Sequence, residues 1–183
     1  MVPVNVNKIS YNSGSRSYAV ILKEIKGDRC LPVIVGSFEA QSIALAIELV
    51  ETPRPLTHDL ICDFILATDI SLKYVSINNL NDGVFFAEIK FSSKGMEVKT
   101  IDARPSDAIA VALRMKIPIF VSKKVFDQSS VNENTLSQEE HNKNRGILKI
   151  SISKLKEELD IAIEKEEYEL AANLRDKINK LEG

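Results

Sequence analysis

Ile101-Asp102-Ala103-Arg104-Pro105-Ser106-Asp107-Ala108 lies where an extended segment, Met96 to Ile101, gives way to a helical one that ends near Met115. Ser106 is a good helix cap, and Asp107 in the first turn suits the helix dipole. Two carboxylates and a guanidinium therefore gather around one helix N-terminus. Such a loop can hold a divalent cation, Mg²⁺ or Mn²⁺, on Asp102 and Asp107. It can also hold a phosphate on Arg104 and the exposed N–H groups. The plainer alternative is structural: Ser106 caps, Asp107 serves the dipole and Asp102 pairs with Arg104. The residues alone leave both readings open.

Upstream, Val2, Val4 and Val6 alternate with polar residues and predict a first strand. Turn residues at 12–15 and 26–29 separate it from strands over 18–25 and 31–35, which makes an opening three-stranded meander. A helix over 38–50, capped by Ser37, is apolar nearly all round, and that predicts deep burial. Pro53 and Pro55 break it, and a second helix runs from a Thr57 cap to about Thr68. Strands over 72–80 and 84–91 flank Asn81-Asp82-Gly83, a hairpin signal because Asp-Gly tolerates positive φ. Pro118–Val121 adds a short strand, and Lys123–Phe126 a last turn of helix. The sum is an α+β domain with a mixed or antiparallel sheet and three main helices.

Apolar patterning stops at Asp127. Residues 127–146 cannot bury enough surface to offset their ordering entropy, so they read as a polar linker. Spacings of three and four then return in Ile152-Leu155-Leu159-Ile163 and in Ala171-Leu174-Ile178-Leu181. They predict a C-terminal α-helical hairpin over 147–183. Helices this short are marginal alone, so they must pair with each other, a second copy or another protein. The expected layout is a domain over 1–126, the linker, and the hairpin.

Composition narrows the function classes. With 44% hydrophobic residues, 6% aromatics and no Trp, the core must be mainly aliphatic. A net charge of -2 gives no strong preference for nucleic acid or a membrane surface. Cys30 and Cys62 lie far apart and form no CxxC pair, which fits small buried hydrophobes in a reducing, cytoplasmic setting. Met1 to Ser10 lacks the features of a signal peptide, and the apolar run Ile43 to Val50 is too short to span a bilayer. There is no Walker loop, GxSxG, HExxH or zinc-spaced cysteine set. P-loop hydrolysis, serine-hydrolase chemistry and zinc proteolysis are therefore disfavoured.

Two further stretches carry candidates. In Pro53-Arg54-Pro55-Leu56-Thr57-His58-Asp59, His58 sits at a helix start beside an acid and can act as a base or a ligand. Its alternative is a surface histidine between a capping Thr and a dipole-serving Asp59. Glu39, on the first helix with Gln41 and Ser42, is a ligand or base candidate, or simply a first-turn acid. His141 falls in the linker and is assigned no role.

These stretches together resemble the bifunctional nuclease family. The matching segments are Leu-Pro-Val-Ile-Val-Gly at 31–36, Phe-Glu-Ala-Gln-Ser-Ile-Ala-Leu-Ala at 38–46, Pro-Arg-Pro-Leu-Thr-His-Asp-Leu at 53–60, Asp82-Gly83, Ile-Asp-Ala-Arg-Pro-Ser-Asp-Ala-Ile-Ala at 101–110 and Pro118–Val121. Their order across residues 1–126 makes the signal specific. The resemblance implies an α+β domain, often oligomeric, with nuclease activity attributed to the family but no established catalytic set. A homo-oligomer follows as an expectation, a dimer in the first instance. Glu39, Arg54, His58, Asp59, Arg104 and Asp107 are carried over as catalytic candidates, and Asp102 with Asp107 as metal candidates. Leu155 to Leu181 resembles the UVR motif, with Glu167-Tyr168-Glu169-Leu170-Ala171-Ala172-Asn173-Leu174-Arg175-Asp176 as its signature. That resemblance implies protein docking through residues 152–181.

Two functions remain in view. One is a nuclease that hydrolyses phosphodiesters of DNA, RNA or both, with a docking hairpin. The other is a non-catalytic module that binds an anionic ligand or RNA and recruits a partner. Convergence of the acids, Arg54, Arg104 and His58 in one cleft favours the first, and their dispersal the second.

Overall fold

A computed structural model describes residues 1–12, 16–93, 97–135, 155–159, 161, 170 and 172–177. The chain divides into two compact units, Met1–Asn132 and Glu133–Gly183.

The first unit opens as the alternation predicts. Strands β1 (Val2–Asn12), β2 (Ser17–Glu24) and β3 (Arg29–Val35) form an antiparallel meander. Helices α1 (Ser37–Ile47) and α2 (Thr57–Leu66) follow. Then come β4 (Ile70–Asn81), β5 (Val84–Ser93), β6 (Lys99–Ala103), α3 (Pro105–Met115), β7 (Ile119–Val121), α4 (Lys123–Ser129) and β8 (Val131–Asn132). All eight strands join one sheet in the order β6-β5-β4-β7-β1-β2-β3-β8. Its β4–β7 pair is parallel, so the sheet is mixed and the class is α+β. The β4–β5 hairpin turns on Asp82 and Gly83, at φ 49° and 78°, as a two-residue loop requires.

An aliphatic core fills one face of the sheet. Alternate residues of the strands, among them Val20, Leu22, Leu31, Val33, Val75 and Ile77, pack against Ile43 of α1, Ile109 of α3, and Val125 and Phe126 of α4. Cys30 and Cys62 are both buried.

Several expectations need correction. None of the three long helices starts at its expected cap. The caps are Gly36, Leu56 and Arg104, without a side-chain bond from any of them. At α3 the reason is Pro105, whose fixed φ suits the first helical position and moves Ser106 inside the helix. Helix α1 is not deeply buried either. Only Ala40, Ser42 and Ile43 are buried, while Phe38 is 83% exposed. Leu60, Phe64 and Leu66 of α2 are exposed as well. Finally, residues 127–132, expected to begin the linker, belong to the first unit: α4 continues to Ser129 and β8 pairs with Arg29 and Cys30 of β3.

In the second unit, residues 155–159 and 172–177 are helical. Leu174 is buried against Leu155 and Leu159, three of the residues that the spacing assigns to the facing seams. Ile152, Ile163, Ala171, Ile178, Leu181 and the linker residues 136–146 lie outside the described residues. No helix among the described residues is long and apolar enough to cross a membrane.

Candidate functional site

The junction of β6 with α3 is shorter than its sequence implies. Ala103 ends the strand and Pro105 starts the helix, so Arg104 alone connects them. That shortness separates the two aspartates. Asp102 is a strand residue opposite Glu88, while its neighbour Ala103 lies opposite Ala87 and packs on the core. Strand side chains alternate between faces, so Asp102 points away from the helices. Asp107, in the first turn of α3, is on the helix side.

What gathers around Asp107 comes from α1, α2 and α3. His58, in the first turn of α2, meets Asp107 Oδ1 through Nε2 at 3.3 Å. Its other ring nitrogen, Nδ1, is 2.8 Å from Ser42 Oγ in the middle of α1. Arg104 donates to both oxygens of Asp107 at 2.8 and 3.1 Å. It also donates to Glu39 Oε1 at 3.1 Å. A guanidinium has five N–H donors, so two are left for an incoming oxygen. Ser42, His58, Glu39, Arg104 and Asp107 all line one open cavity of about 750 Å³.

Partial burial would raise the Asp107 pKa. The hydrogen bonds from Arg104 and His58 outweigh it and hold the carboxyl below the usual aspartate range. Asp107 is therefore ionised at neutral pH and acts only as an acceptor. In the neutral imidazole, the form in which the ring can act as a base, His58 then carries its proton on Nε2, facing Asp107, and Nδ1 accepts the Ser42 hydroxyl. This sequence of donors and acceptors has one consistent direction, from Ser42 through His58 to Asp107.

The remaining candidates do not join. Asp59 does not line this cavity: Arg114 Nε donates to its Oδ1 at 2.6 Å and the Leu56 N–H to its Oδ2 at 2.8 Å. Arg114 also donates to the carbonyls of Ser42 and Ala110, at 3.2 and 3.1 Å, and so ties the three helices together. Asp59 is a structural acid. Arg54 is exposed, and its guanidinium makes no ion pair among the described residues. The Asp102–Asp107 metal pair is not assembled, since the two lie on opposite sides of the sheet. Among the described residues no three acids, histidines or cysteines group as metal ligands. The Arg104 cation fills the space between Glu39 and Asp107.

The Asp59–Arg114 bond makes a pH prediction. That bond, with the Leu56 N–H, lowers the Asp59 pKa against the opposing effect of burial. A depressed folded-state pKa gives stability that is complete above the unfolded value of about 3.9 and is lost as pH falls through the folded value. Asp59→Asn should therefore melt lower than wild type at pH 7, and the gap should narrow below about pH 4. Thermal melts from pH 7 to pH 2 measure it. A constant gap would remove this account of the clamp.

Sequence reasoning noted Ser42 only as a neighbour of Glu39. Its partners, His58 and Arg114, lie 16 and 72 residues further along the chain, beyond the reach of any local motif.

Comparison with known proteins adds two families. Residues 20–134 match the Bifunctional nuclease domain, and residues 149–183 the UvrB/uvrC motif. An uncharacterized protein of Mycobacterium tuberculosis is 40% identical over 160 residues, covering 87% of this chain and 94% of its own length. Bifunctional nuclease 2 of Arabidopsis thaliana is 26% identical over 189 residues, 90% of this chain and 56% of that protein. Bifunctional nuclease 2 of Oryza sativa subsp. japonica is 32% identical over 110 residues, 58% of this chain and 34% of that protein.

Proposed function

The chain belongs to the bifunctional nuclease domain family, and on that premise we propose that its first unit hydrolyses phosphodiesters of nucleic acid. The observation that carries the proposal is the continuous hydrogen-bonded chain from Ser42 through His58 to Asp107, in one cavity with Arg104. Arg104 binds the phosphoryl oxygens with its two remaining donors and stabilises the charge that grows on them. His58 moves a proton, and Asp107 fixes its tautomer and stabilises the imidazolium. Glu39 and Asp107 hold the guanidinium in place before substrate arrives.

Mg²⁺ or Mn²⁺, expected on Asp102 and Asp107, does not fit this arrangement, so no step is routed through a metal. The test is cleavage of single-stranded DNA and RNA oligonucleotides in EDTA. Wild type should keep its activity, and Arg104→Ala should lose about 100- to 1000-fold in kcat/KM. Full activity in Arg104→Ala sinks the assignment. Abolition by EDTA, restored by Mg²⁺ or Mn²⁺, returns the carboxylates to a metal.

The second unit serves as a docking element, its partner a protein bound through residues 152–181. The exposed apolar surface of α1 and α2 takes a second copy of the chain, because a monomer rarely leaves such a surface bare. Phe64→Glu should convert the oligomer, a dimer in the simplest case, to monomer in sedimentation velocity, while Leu174→Asp leaves its size unchanged and loses the docking partner. A wild-type chain that sediments as a monomer at micromolar concentration rejects the interface. A reducing cytoplasm suits the two buried thiols.

A further inference from the structure

We propose that Ser42 Oγ is the nucleophile of this site, with His58 as its base; the proposal rests on the phosphodiesterase reading and names the atom that attacks phosphorus. Three observations carry it. The first is the direction of the hydrogen bonds. Asp107 occupies the Nε2 side of His58, so Nδ1 is the basic nitrogen, and the hydroxyl it already holds, at 2.8 Å, is that of Ser42. A water acting as nucleophile would first have to displace Ser42 from Nδ1.

The second is position. Ser42 is 7% exposed, yet it lines the same cavity as Arg104. A hydroxyl with little contact with bulk water and a base at hydrogen-bond distance is the usual setting of an activated serine. The third is rigidity. The Ser42 backbone is held by Arg114 at its carbonyl, and the imidazole is held at its far side by Asp107. Both ends of the pair are fixed by ion-paired groups from α3, which limits the motion that separates nucleophile and base.

The steps balance without a cofactor. Ser42 Oγ forms a bond to phosphorus, its proton passes to His58 Nδ1, and the bond to the leaving alkoxide breaks. The alkoxide takes a proton from water and leaves hydroxide. That hydroxide then attacks the phosphorus of the seryl phosphodiester, which still carries the retained nucleotide strand; the Oγ–P bond breaks, the strand leaves with a terminal phosphate, and Oγ recovers its proton from His58. Nothing is oxidised or reduced. Because the attacking oxygen belongs to the protein, the scheme needs no 2′-hydroxyl and applies to DNA and RNA alike.

The experiment uses the full chain and two probes. Single-stranded DNA oligonucleotide is turned over and quenched in acid, and the protein is digested and weighed. In parallel, diisopropyl fluorophosphate is offered as a substrate-independent electrophile. Wild type should carry an adduct on the peptide containing Ser42 with both probes, a phosphate-linked nucleotide strand from the oligonucleotide and a diisopropylphosphoryl group from the fluorophosphate. Ser42→Ala should carry none and should lose about 1000-fold in turnover, with a melting temperature lowered by about 5 °C at most for the one hydrogen bond removed. His58→Gln should slow labelling by about 100-fold or more. Turnover in Ser42→Ala within threefold of wild type, or turnover with no adduct by either probe, overturns Ser42 while the phosphodiesterase reading stands. Labelling of Ser42 by the fluorophosphate without any oligonucleotide cleavage upholds the activated serine and removes the phosphodiesterase reading. Neither cleavage nor labelling removes both.

Discussion

Replacing His58 by alanine should reduce nuclease turnover by about 100- to 10,000-fold, the range over which a positioned acid–base group contributes. The expectation follows from the use of both ring nitrogens. Nε2 is engaged by Asp107 and Nδ1 by Ser42, so the ring links a fixed carboxylate to a hydroxyl. Alanine leaves both partners without that link. His58→Gln is the sharper variant, because an amide keeps much of the hydrogen bonding but cannot carry a proton. The fold should survive either change. The side chain is about 15% exposed and lies in the first turn of α2, so each lost hydrogen bond costs about 1 kcal/mol. Single-turnover cleavage and a melt on the same samples measure both effects. If His58→Gln cleaves at the wild-type rate, proton transfer through this ring is not part of the reaction. The site then acts through Arg104 alone, as an anion-binding pocket.

Much of this fold was legible because its strands are half-buried. Alternation along β1 and β2, the Asp-Gly hairpin and the breaks at Pro53 and Pro55 each have a local cause, so local patterns find them. The first helix misled for an equally physical reason. Its apolar residues encircle the axis, which normally means burial on all sides. Here only the side carrying Ala40 and Ile43 meets the core, and Phe38 faces outward. A sequence cannot say whether an all-round apolar helix is covered by its own chain or left open.

The site divides in the same way. Arg104 and Asp107 are three residues apart at a helix start, and their pairing is a local event. Asp102 is as close in sequence but sits on the other side of the sheet. The sequence marks it as part of a loop, and only the two-residue extension of β6, through Asp102 and Ala103, decides its face. Asp59 has the opposite history: adjacent to His58 in sequence, it turns to Arg114, which no motif had singled out. Ser42 was marked only by its place beside Glu39, with no role. A small polar residue in an apolar helix is commonly satisfied within the helix. The absence of GxSxG also argued against serine chemistry. That motif describes one backbone solution, a sharp strand-to-helix turn, whereas Ser42 lies mid-helix and receives its base from another helix.

Phe126→Ala should be the most damaging single change in the first unit. The ring is fully buried in α4, within the main core. Removing a buried phenyl group costs about 3–5 kcal/mol through lost transfer energy and the cavity left behind. Arg29 adds to the dependence, since its guanidinium lies 4.7 Å from the ring centroid. That arginine also bonds Glu24 at 3.2 Å and Asp127 at 2.9 Å. The phenyl ring therefore supports one face of an ion-pair cluster as well as filling the core. For a unit of this size a loss of that order lowers the melting temperature by roughly 10–20 °C. Phe126→Leu, which retains most of the volume, should cost much less. Calorimetry of the full chain separates the transition of the first unit from that of the second. The comparison also tests where the domain ends. Apolar patterning fades after Phe126, which is why a boundary at 126 is natural from sequence, yet α4 and β8 continue through polar residues because Phe126 and Val125 anchor them. If Phe126→Ala melts within 2 °C of wild type, α4 is not held by the core and residues 127–132 revert to linker. If the large loss is found, a chain cut after residue 126 should lose stability too, because it lacks Asp127, the end of α4 and all of β8.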